Sequence, residues 1–206
     1  MNYDLFLVGV GGQGVLTIGE ILVDAAARQG VPVSFYPSKG MAQRGGFVKA
    51  QLRLGREITG PNIREGGADL VIAMELSEAT KAIRYIRADG DFILFADVSS
   101  PIEVLLGKAA YPQAAEVEKS VKEAGARLLS IKPDEMTAAG VKMLAANIFL
   151  LGVALGHTSL KNVLDLQIVD WAIQARWKKA AEKNHLAFTA GMNCTFPDEK
   201  EQKGIG

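Results

Sequence analysis

Cysteine is nearly absent from this chain: Cys194 stands alone among 206 residues, so no internal disulfide can form. Histidine is almost as scarce, with His157 and His185 only. Three such residues without ligand spacing exclude a structural zinc site of four Cys or His ligands, and equally an iron–sulfur cluster of the usual four thiolates. No metal site is expected, and any cluster chemistry belongs on another polypeptide. Cys194 has no adjacent His or Lys in sequence to lower its pKa and reads as inert. An excess of one charge is also missing, since 23 basic residues balance 23 acidic ones. The longest basic cluster, Arg176 with Lys178 and Lys179, is interrupted by Trp177 and reads as a solvated helix face. Nucleic-acid binding needs a basic stripe that this chain lacks. Long apolar runs are absent too: Met143 to Leu155 is 13 residues, against the ~20 that a membrane-spanning helix needs. The first residues carry Asp4 where a secretory signal has basic residues, and no cleavage pattern follows. The expectation is a cytoplasmic protein with neither nucleic acid nor membrane as partner.

What is present is apolar sequence (49% hydrophobic) and abundant glycine (22 residues), the mixture of a globular fold with many strand–helix turns. Tyr3 to Val8 is a short apolar run ending in glycines, as in a buried parallel strand. A helix follows over Val15 to Gln29, stopped by Gly30 and Pro32. Val33 to Tyr36 is a strand, and Ser38 to Gly46 is too polar and glycine-rich for a regular element. From Phe47 to Leu54 the pattern alternates, with Val48, Ala50, Leu52 and Leu54 opposite Lys49, Gln51 and Arg53. Gly55 and Arg56 predict a hairpin turn returning through Glu57 to Ile58. Asp69 to Met74 and Asp91 to Phe95 are further strands, with a helix over Ser77 to Ile86 between them. Pro101 to Pro112 is irregular. Gln113 to Ala124 is an amphipathic helix, and Arg127 to Ile131 is the last strand. Pro133 and Asp134 open a long helix to about Leu155, stopped by Gly156. Asp165 caps a final helix to about Lys183, with Leu166, Val169, Ile173, Trp177 and Ala180 as its core stripe.

Strands alternating with helices give a single doubly wound α/β domain over residues 1–196, its mostly parallel sheet carrying an antiparallel hairpin. Residues 197–206 are charged and Gly-ended, and read as a disordered tail.

Gly9-Val10-Gly11-Gly12-Gln13-Gly14 follows a strand and opens a helix, the setting in which such glycines admit an anionic group at the helix N-terminus. A dinucleotide site would also need an acid near the end of the second strand to hold the ribose. Ser34 to Ser38 contains none, which disfavours NAD. Lys39 or Arg44 would instead meet a phosphate, leaving NADP and coenzyme A open. The same glycines would equally serve to pack the first helix against the sheet. No Walker A sequence follows.

With Met41-Ala42-Gln43-Arg44-Gly45-Gly46-Phe47-Val48, this GVGGQG loop resembles the gamma domain of pyruvate and 2-oxoacid:ferredoxin oxidoreductases. The Ala-Gln-Arg-Gly-Gly form is most similar to the small subunit of the indolepyruvate enzymes. Ala68 to Ala73 with Glu75 and Glu78, Asn147 within Ala145 to Gly152, and Phe188 with Gly191 extend the likeness from Asp4 to about Gly191. The resemblance implies a complex that decarboxylates a 2-oxoacid on thiamine diphosphate. Electrons pass through iron–sulfur clusters to ferredoxin, and the acyl group leaves on coenzyme A. Thiamine diphosphate and the clusters are then expected on a large partner subunit, with coenzyme A shared and no cofactor bound by this chain alone. Asp89-Gly90-Asp91 is a turn, in the wrong order for a thiamine motif. The expected cofactor-binding residues are Gly9, Gly11, Gly12, Gln13, Gly14, Lys39, Arg44, Gly45 and Gly46, with no catalytic residue on this chain.

The alternatives are an NADP-dependent reductase and a scaffold without ligand. The reductase lacks a Tyr-x-x-x-Lys pair, since Tyr36, Tyr85 and Tyr111 have no Lys four residues on. Glu75 and Asp97 fall at strand ends, where helix capping competes with acid–base work. Asn147, amid apolar residues, needs a hydrogen bond to a neighbouring loop or a ligand. Trp171 lies off the core stripe and marks, with Met143 to Leu155, an expected subunit contact.

Overall fold

The computed structural model describes residues 2–40, 46–55, 60, 62–97, 111–142 and 145–196. Six strands form one mixed sheet. In chain order they are β1 (Tyr3–Val10), β2 (Val33–Lys39), β3 (Phe47–Leu54), β4 (Ala68–Ala73), β5 (Ile86–Phe95) and β6 (Arg127–Ile131), and they lie side by side as β2-β3-β1-β4-β5-β6. The pairs β1–β4, β4–β5 and β5–β6 are parallel, whereas β3 runs antiparallel to both β1 and β2. All eight residues of β1 are buried, as expected for a central strand covered on both faces.

Among the described residues, seven α-helices cover the sheet: α1 (Val15–Gln29), α2 (Leu76–Ala82), α3 (Ala114–Glu123), α4 (Pro133–Ala138), α5 (Ala146–His157), α6 (Leu166–Arg176) and α7 (Ala181–Asn193). On one face, Leu5 and Leu7 pack against Ile18, Ile21 and Leu22 of α1 and join the core built around Phe149, Leu150 and Phe188. On the other, Phe6, Val8, Val71 and Phe92 meet Ala79 of α2 and Val117 and Val121 of α3. Alternate residues of a strand point to opposite faces, so β1 feeds both cores. At the sheet's polar border, the Arg53 guanidinium donates to both Asp4 carboxylate oxygens at 3.1 Å, which pairs the otherwise buried acid.

The fold class is the expected one, with three corrections to its elements. The helix expected from Pro133 to Leu155 is two helices. Gly140, at φ +80°, leaves the right-handed region after α4, and α5 begins at Ala146. Gly156 does not stop α5 but lies within it, where a Cβ would come 2.7 Å from the Met192 carbonyl oxygen of α7. The expected final helix is likewise broken. Asp165 does cap α6, accepting from Gln167 N–H at 2.7 Å and Ile168 N–H at 3.2 Å, but α6 ends at Arg176 and a 3₁₀ turn over Lys178–Ala180 leads into α7. Within the expected stripe, Val169 and Ile173 are buried while Leu166 is exposed.

Smaller differences follow from position. β2 continues through Pro37 to Lys39, which a sheet-edge strand tolerates because one side needs no donor. β3 finds its antiparallel partners in β2 and β1, whereas the expected return through Glu57 and Ile58 lies outside the described residues. The helix after β4 ends at Ala82 and passes through a 3₁₀ turn into β5, which starts at Ile86.

α5 is buried almost all round and packs on α7. The close approach needs glycine. A Cβ on Gly152 would overlap the Phe188 carbonyl oxygen, and one on Gly191 would overlap that of Phe149. α5, which falls within the stretch Met143 to Leu155 expected near a subunit contact, is therefore largely enclosed by this chain's own elements. Residues 197–206, expected to be a disordered tail, and residues 101–110 of the stretch Pro101 to Pro112, expected to be irregular, lie outside the described residues.

Candidate functional site

The glycine loop joins β1 to α1 at the carboxyl edge of the sheet. Gly12 and Gly14 take φ of +105° and +80°, a region open mainly to glycine. The residues of the loop then divide by what surrounds them. Gly9 makes room inside the protein, since a Cβ there would sit 2.6 Å from Gln13 Oε1 and 2.8 Å from Val15. Gly14 faces Asn147, whose Nδ2 would be 2.5 Å from an added Cβ. Gly12 faces open space, with nothing within 4 Å.

Gln13 is a strut. Its amide accepts from Val10 N–H at 2.9 Å and donates to the Met74 carbonyl at 2.8 Å and to Asp97 Oδ2 at 3.3 Å, tying the loop to the ends of β4 and β5. Asn147 sits in the first turn of α5, not mid-helix, and buttresses the loop at Gly14.

A cavity of about 630 Å³ opens in front of this loop. Gly11, Gly12 and Gly14 line one wall together with Val15 to Thr17, and Lys39, Gly40, Gly46 and Phe47 line the other. The two loops touch: Gly11 N–H donates to the Gly46 carbonyl at 2.8 Å. The first intrahelical bond of α1 is Ile18 N–H to Gly14 O, so the N–H groups of Val15, Leu16 and Thr17 begin the helix without intrahelical acceptors. No acidic side chain occupies that first turn, and the positive end of the helix dipole is left directed at the cavity. Lys39 is exposed at the rim. The Lys49 and Lys81 ammonium groups each lie 5.8 Å from the centroid of the Phe47 ring, and Lys81 is paired with Glu78 at 2.8 Å. Among the described residues that line the cavity, Lys39 carries the charge, and the wall beside it is apolar at Phe47 and Val48.

Behind the loop lies a buried acid network. Glu75 is fully buried and caps α2, its Oε2 accepting from Glu78 N–H at 2.9 Å and Ser77 Oγ at 2.5 Å, while Tyr111 donates to its Oε1. Burial, together with the Glu75 carboxylate that accepts its hydrogen bond, pushes the Tyr111 phenol far above its ordinary range. Glu75 therefore does the capping work weighed for it from sequence, and Asp97 holds Gln13. Among the described residues, the buried Oε2 of Glu78 finds no hydrogen-bond partner.

Of the residues expected to bind a cofactor, Gly11, Gly12, Gly14, Lys39 and Gly46 line the cavity, whereas Gly9 and Gln13 shape the loop from within. Arg44 and Gly45 lie outside the described residues. Sequence reasoning missed Val15, Leu16 and Thr17 as lining residues, having read them only as the start of the first helix. It also missed Tyr111, whose segment read only as irregular.

Cys194 has no His adjacent in sequence, but its Sγ lies 3.8 Å from His157 Nε2, brought there by the α5–α7 contact. His185 instead contacts Asp170. Among the described residues, no three His, Cys, Asp or Glu side chains converge on a common point, and no helix is long and apolar enough to cross a membrane. Trp171 is half-exposed, with the Arg28 guanidinium 3.9 Å above its ring.

Comparison with known proteins agrees with this architecture. Indolepyruvate oxidoreductase subunit IorB of Archaeoglobus fulgidus is 33% identical over 194 residues, covering 94% of this chain and 95% of that protein. The gamma subunit of keto/oxoacid ferredoxin oxidoreductase from Geobacter sulfurreducens shares the fold, with a TM-score of 0.63 at 20% identity over 92% of this chain and 96% of that one. The 2-oxoglutarate:ferredoxin oxidoreductase of Magnetococcus marinus, with 2-oxoglutarate, coenzyme A and succinyl-CoA bound, contains the same fold within a longer chain. The match has a TM-score of 0.68 at 16% identity and covers all of this chain but 32% of that one. The family model for pyruvate ferredoxin/flavodoxin oxidoreductase matches residues 4–194, and the chain belongs to that family.

Proposed function

We propose that this chain is the small subunit of a 2-oxoacid:ferredoxin oxidoreductase acting on indolepyruvate or a related arylpyruvate, and that it contributes an anion site to the complex. The likeness to IorB along nearly the whole chain supports the assignment. The observation that carries the anion site is the junction of the glycine loop with the start of β3. There the free N–H groups of α1 and the Lys39 ammonium border one cavity. Such a site suits a phosphate of coenzyme A, which in this chemistry supplies the thiol that accepts the acyl group. An iron–sulfur cluster of the usual four thiolates needs more cysteines than the single Cys194 of this chain, and thiamine diphosphate is assigned together with the clusters. They belong to the larger partner, which passes electrons to ferredoxin, and the domain over 1–196 binds and orients without performing redox chemistry itself.

The test is reconstitution with the large subunit and measurement of arylpyruvate-dependent reduction of ferredoxin. Lys39→Ala should raise the KM for coenzyme A by about tenfold, the loss expected for one charged hydrogen bond, with cluster and thiamine content unchanged. An unaltered KM would remove coenzyme A from this cavity. Iron or thiamine diphosphate bound stoichiometrically by the small chain alone would overturn the division of labour.

A further inference from the structure

The starts of two helices meet at the glycine loop. Gly14 is the N-cap of α1, and Asn147 is the second residue of α5. A Cβ built on Gly14 would come 2.5 Å from Asn147 Nδ2 and 2.9 Å from its Cγ, so the amide lies directly against a residue that lines the cavity. Neither helix has an acidic side chain in its first turn, and neither N-cap makes a side-chain hydrogen bond. Two positive helix ends are thus brought to one place without a carboxylate of their own.

Asn147 is 8% exposed, and a buried amide is ordinarily hydrogen-bonded. The sequence allowed it two partners, a neighbouring loop or a ligand. It packs against the loop at Gly14, yet among the described residues its side chain makes no hydrogen bond to that loop or to any other element. Glu78 Oε2 is also unpaired, but that oxygen is sealed inside the protein, whereas the Asn147 amide retains access from outside. Water can satisfy such a group, and a ligand oxygen that reproduces the hydrogen bond replaces it without loss.

We infer that Asn147 is a ligand-binding residue of this cavity, donating through its Nδ2–H to an oxygen of the anion held at the start of α1. The donor is neutral, so it supplies direction where the helix ends and Lys39 supply charge. The inference rests on the reading that the cavity holds an anion, and it adds the side chain that orients it.

Asn147→Asp separates binding from packing. The two side chains have nearly the same shape, so an Asn147 that only buttresses Gly14 is replaced without loss. A carboxylate at two helix starts also favours the unliganded fold. Toward a bound anion, however, it repels where the amide donated. Binding of coenzyme A and of inorganic pyrophosphate to the full chain is measured by isothermal titration, with Tm recorded alongside. Asn147→Asp should weaken coenzyme A binding by at least about tenfold, while Tm stays level or rises. In the wild-type chain, the side-chain NH2 resonances of Asn147, identified by their loss in Asn147→Asp, should shift as coenzyme A is added.

Wild-type affinity in Asn147→Asp, with binding weakened in Lys39→Ala, overturns this inference and leaves the anion site intact. Asn147 resonances that stay fixed at saturating coenzyme A overturn it even if the variant fails to fold. A wild-type chain that binds neither probe overturns both the site and the role of Asn147. Pyrophosphate binding that is lost in Asn147→Asp, in a chain that does not bind coenzyme A, supports the role of Asn147 and refutes coenzyme A as the occupant.

Discussion

Gly14→Ala tests how the loop is held. Gly14 caps α1 at φ 80°, ψ 23°, and placing an L-residue with a side chain there costs about 1–2 kcal/mol. The added Cβ would also come 2.5 Å from Nδ2 and 2.9 Å from Cγ of Asn147. That is about an ångström inside ordinary contact near 3.5 Å, so either the amide turns away or the start of α1 shifts. Overpacking of this kind costs about 1–3 kcal/mol, and the two effects together predict a loss of about 2–5 kcal/mol. For a chain of 206 residues, each kcal/mol corresponds to about 2–4 °C in Tm, so Tm should fall by about 4–20 °C. Urea titration of wild type, Gly14→Ala, Asn147→Ala and the double variant completes a cycle. Removing the opposing amide relieves the clash but not the backbone strain. The double variant should therefore be more stable than the sum of the singles by about 1–3 kcal/mol. Additivity within about 0.5 kcal/mol would show that Asn147 does not press on the loop and that the reasoning is wrong.

Three further outcomes are expected. Gly152→Ala forces α5 from α7 and should cost at least ~2 kcal/mol, while Gly60→Ala, with nothing within 4 Å of its added Cβ, stays within about 0.5 kcal/mol of wild type in the same urea titration. Asp165→Ala removes the cap of α6 and should cost about 1 kcal/mol, with equal losses from Asp165→Asn and Asp165→Ala counting against the capping role. Tyr3 is buried, and burial pushes its phenol from 10.0 up to about 12. The native state then keeps a proton that the unfolded chain releases. Stability from this group is fully present below about pH 10 and declines toward about pH 12, by about 2–3 kcal/mol; Tyr3→Phe should flatten that slope in urea midpoints measured across the range.

The sequence was most legible where local chemistry and tertiary placement agree. The glycine loop could be read because an apolar strand, a glycine turn and a helix start follow one another directly. The alternation of β3 survived because one of its own faces, with Val48, Ala50, Leu52 and Leu54, is buried while the other is mixed. Helix ends were least legible. The apolar run leading into α5 hid the break at Gly140, since a buried helix is apolar all round and gives no periodic stripe to interrupt. The break after Arg176 was hidden the opposite way, by Ala and Lys residues that all favour helix. Within the candidate site, Lys39 and the glycines were visible as residue types in a suitable turn. The roles of Asn147, Tyr111 and the Cys194–His157 pair depend on contacts between segments far apart in sequence, for which no local pattern exists.

The insertion of β3 between β1 and β2 sets a length. Neighbouring strands lie about 4.8 Å apart, so the end of β1, where the glycine amides gather, and the end of β2, where Lys39 stands, are separated by about 10 Å. β3 acts as a spacer bar between two poles of positive potential. A compact ion seated on the amides meets Lys39 only through the lysine's own flexible stem, whereas an elongated molecule with charge at both ends spans the poles without ordering it. The strand order thus grades ligands by their extent as well as by charge, and diphosphate esters should rank above orthophosphate in this cavity.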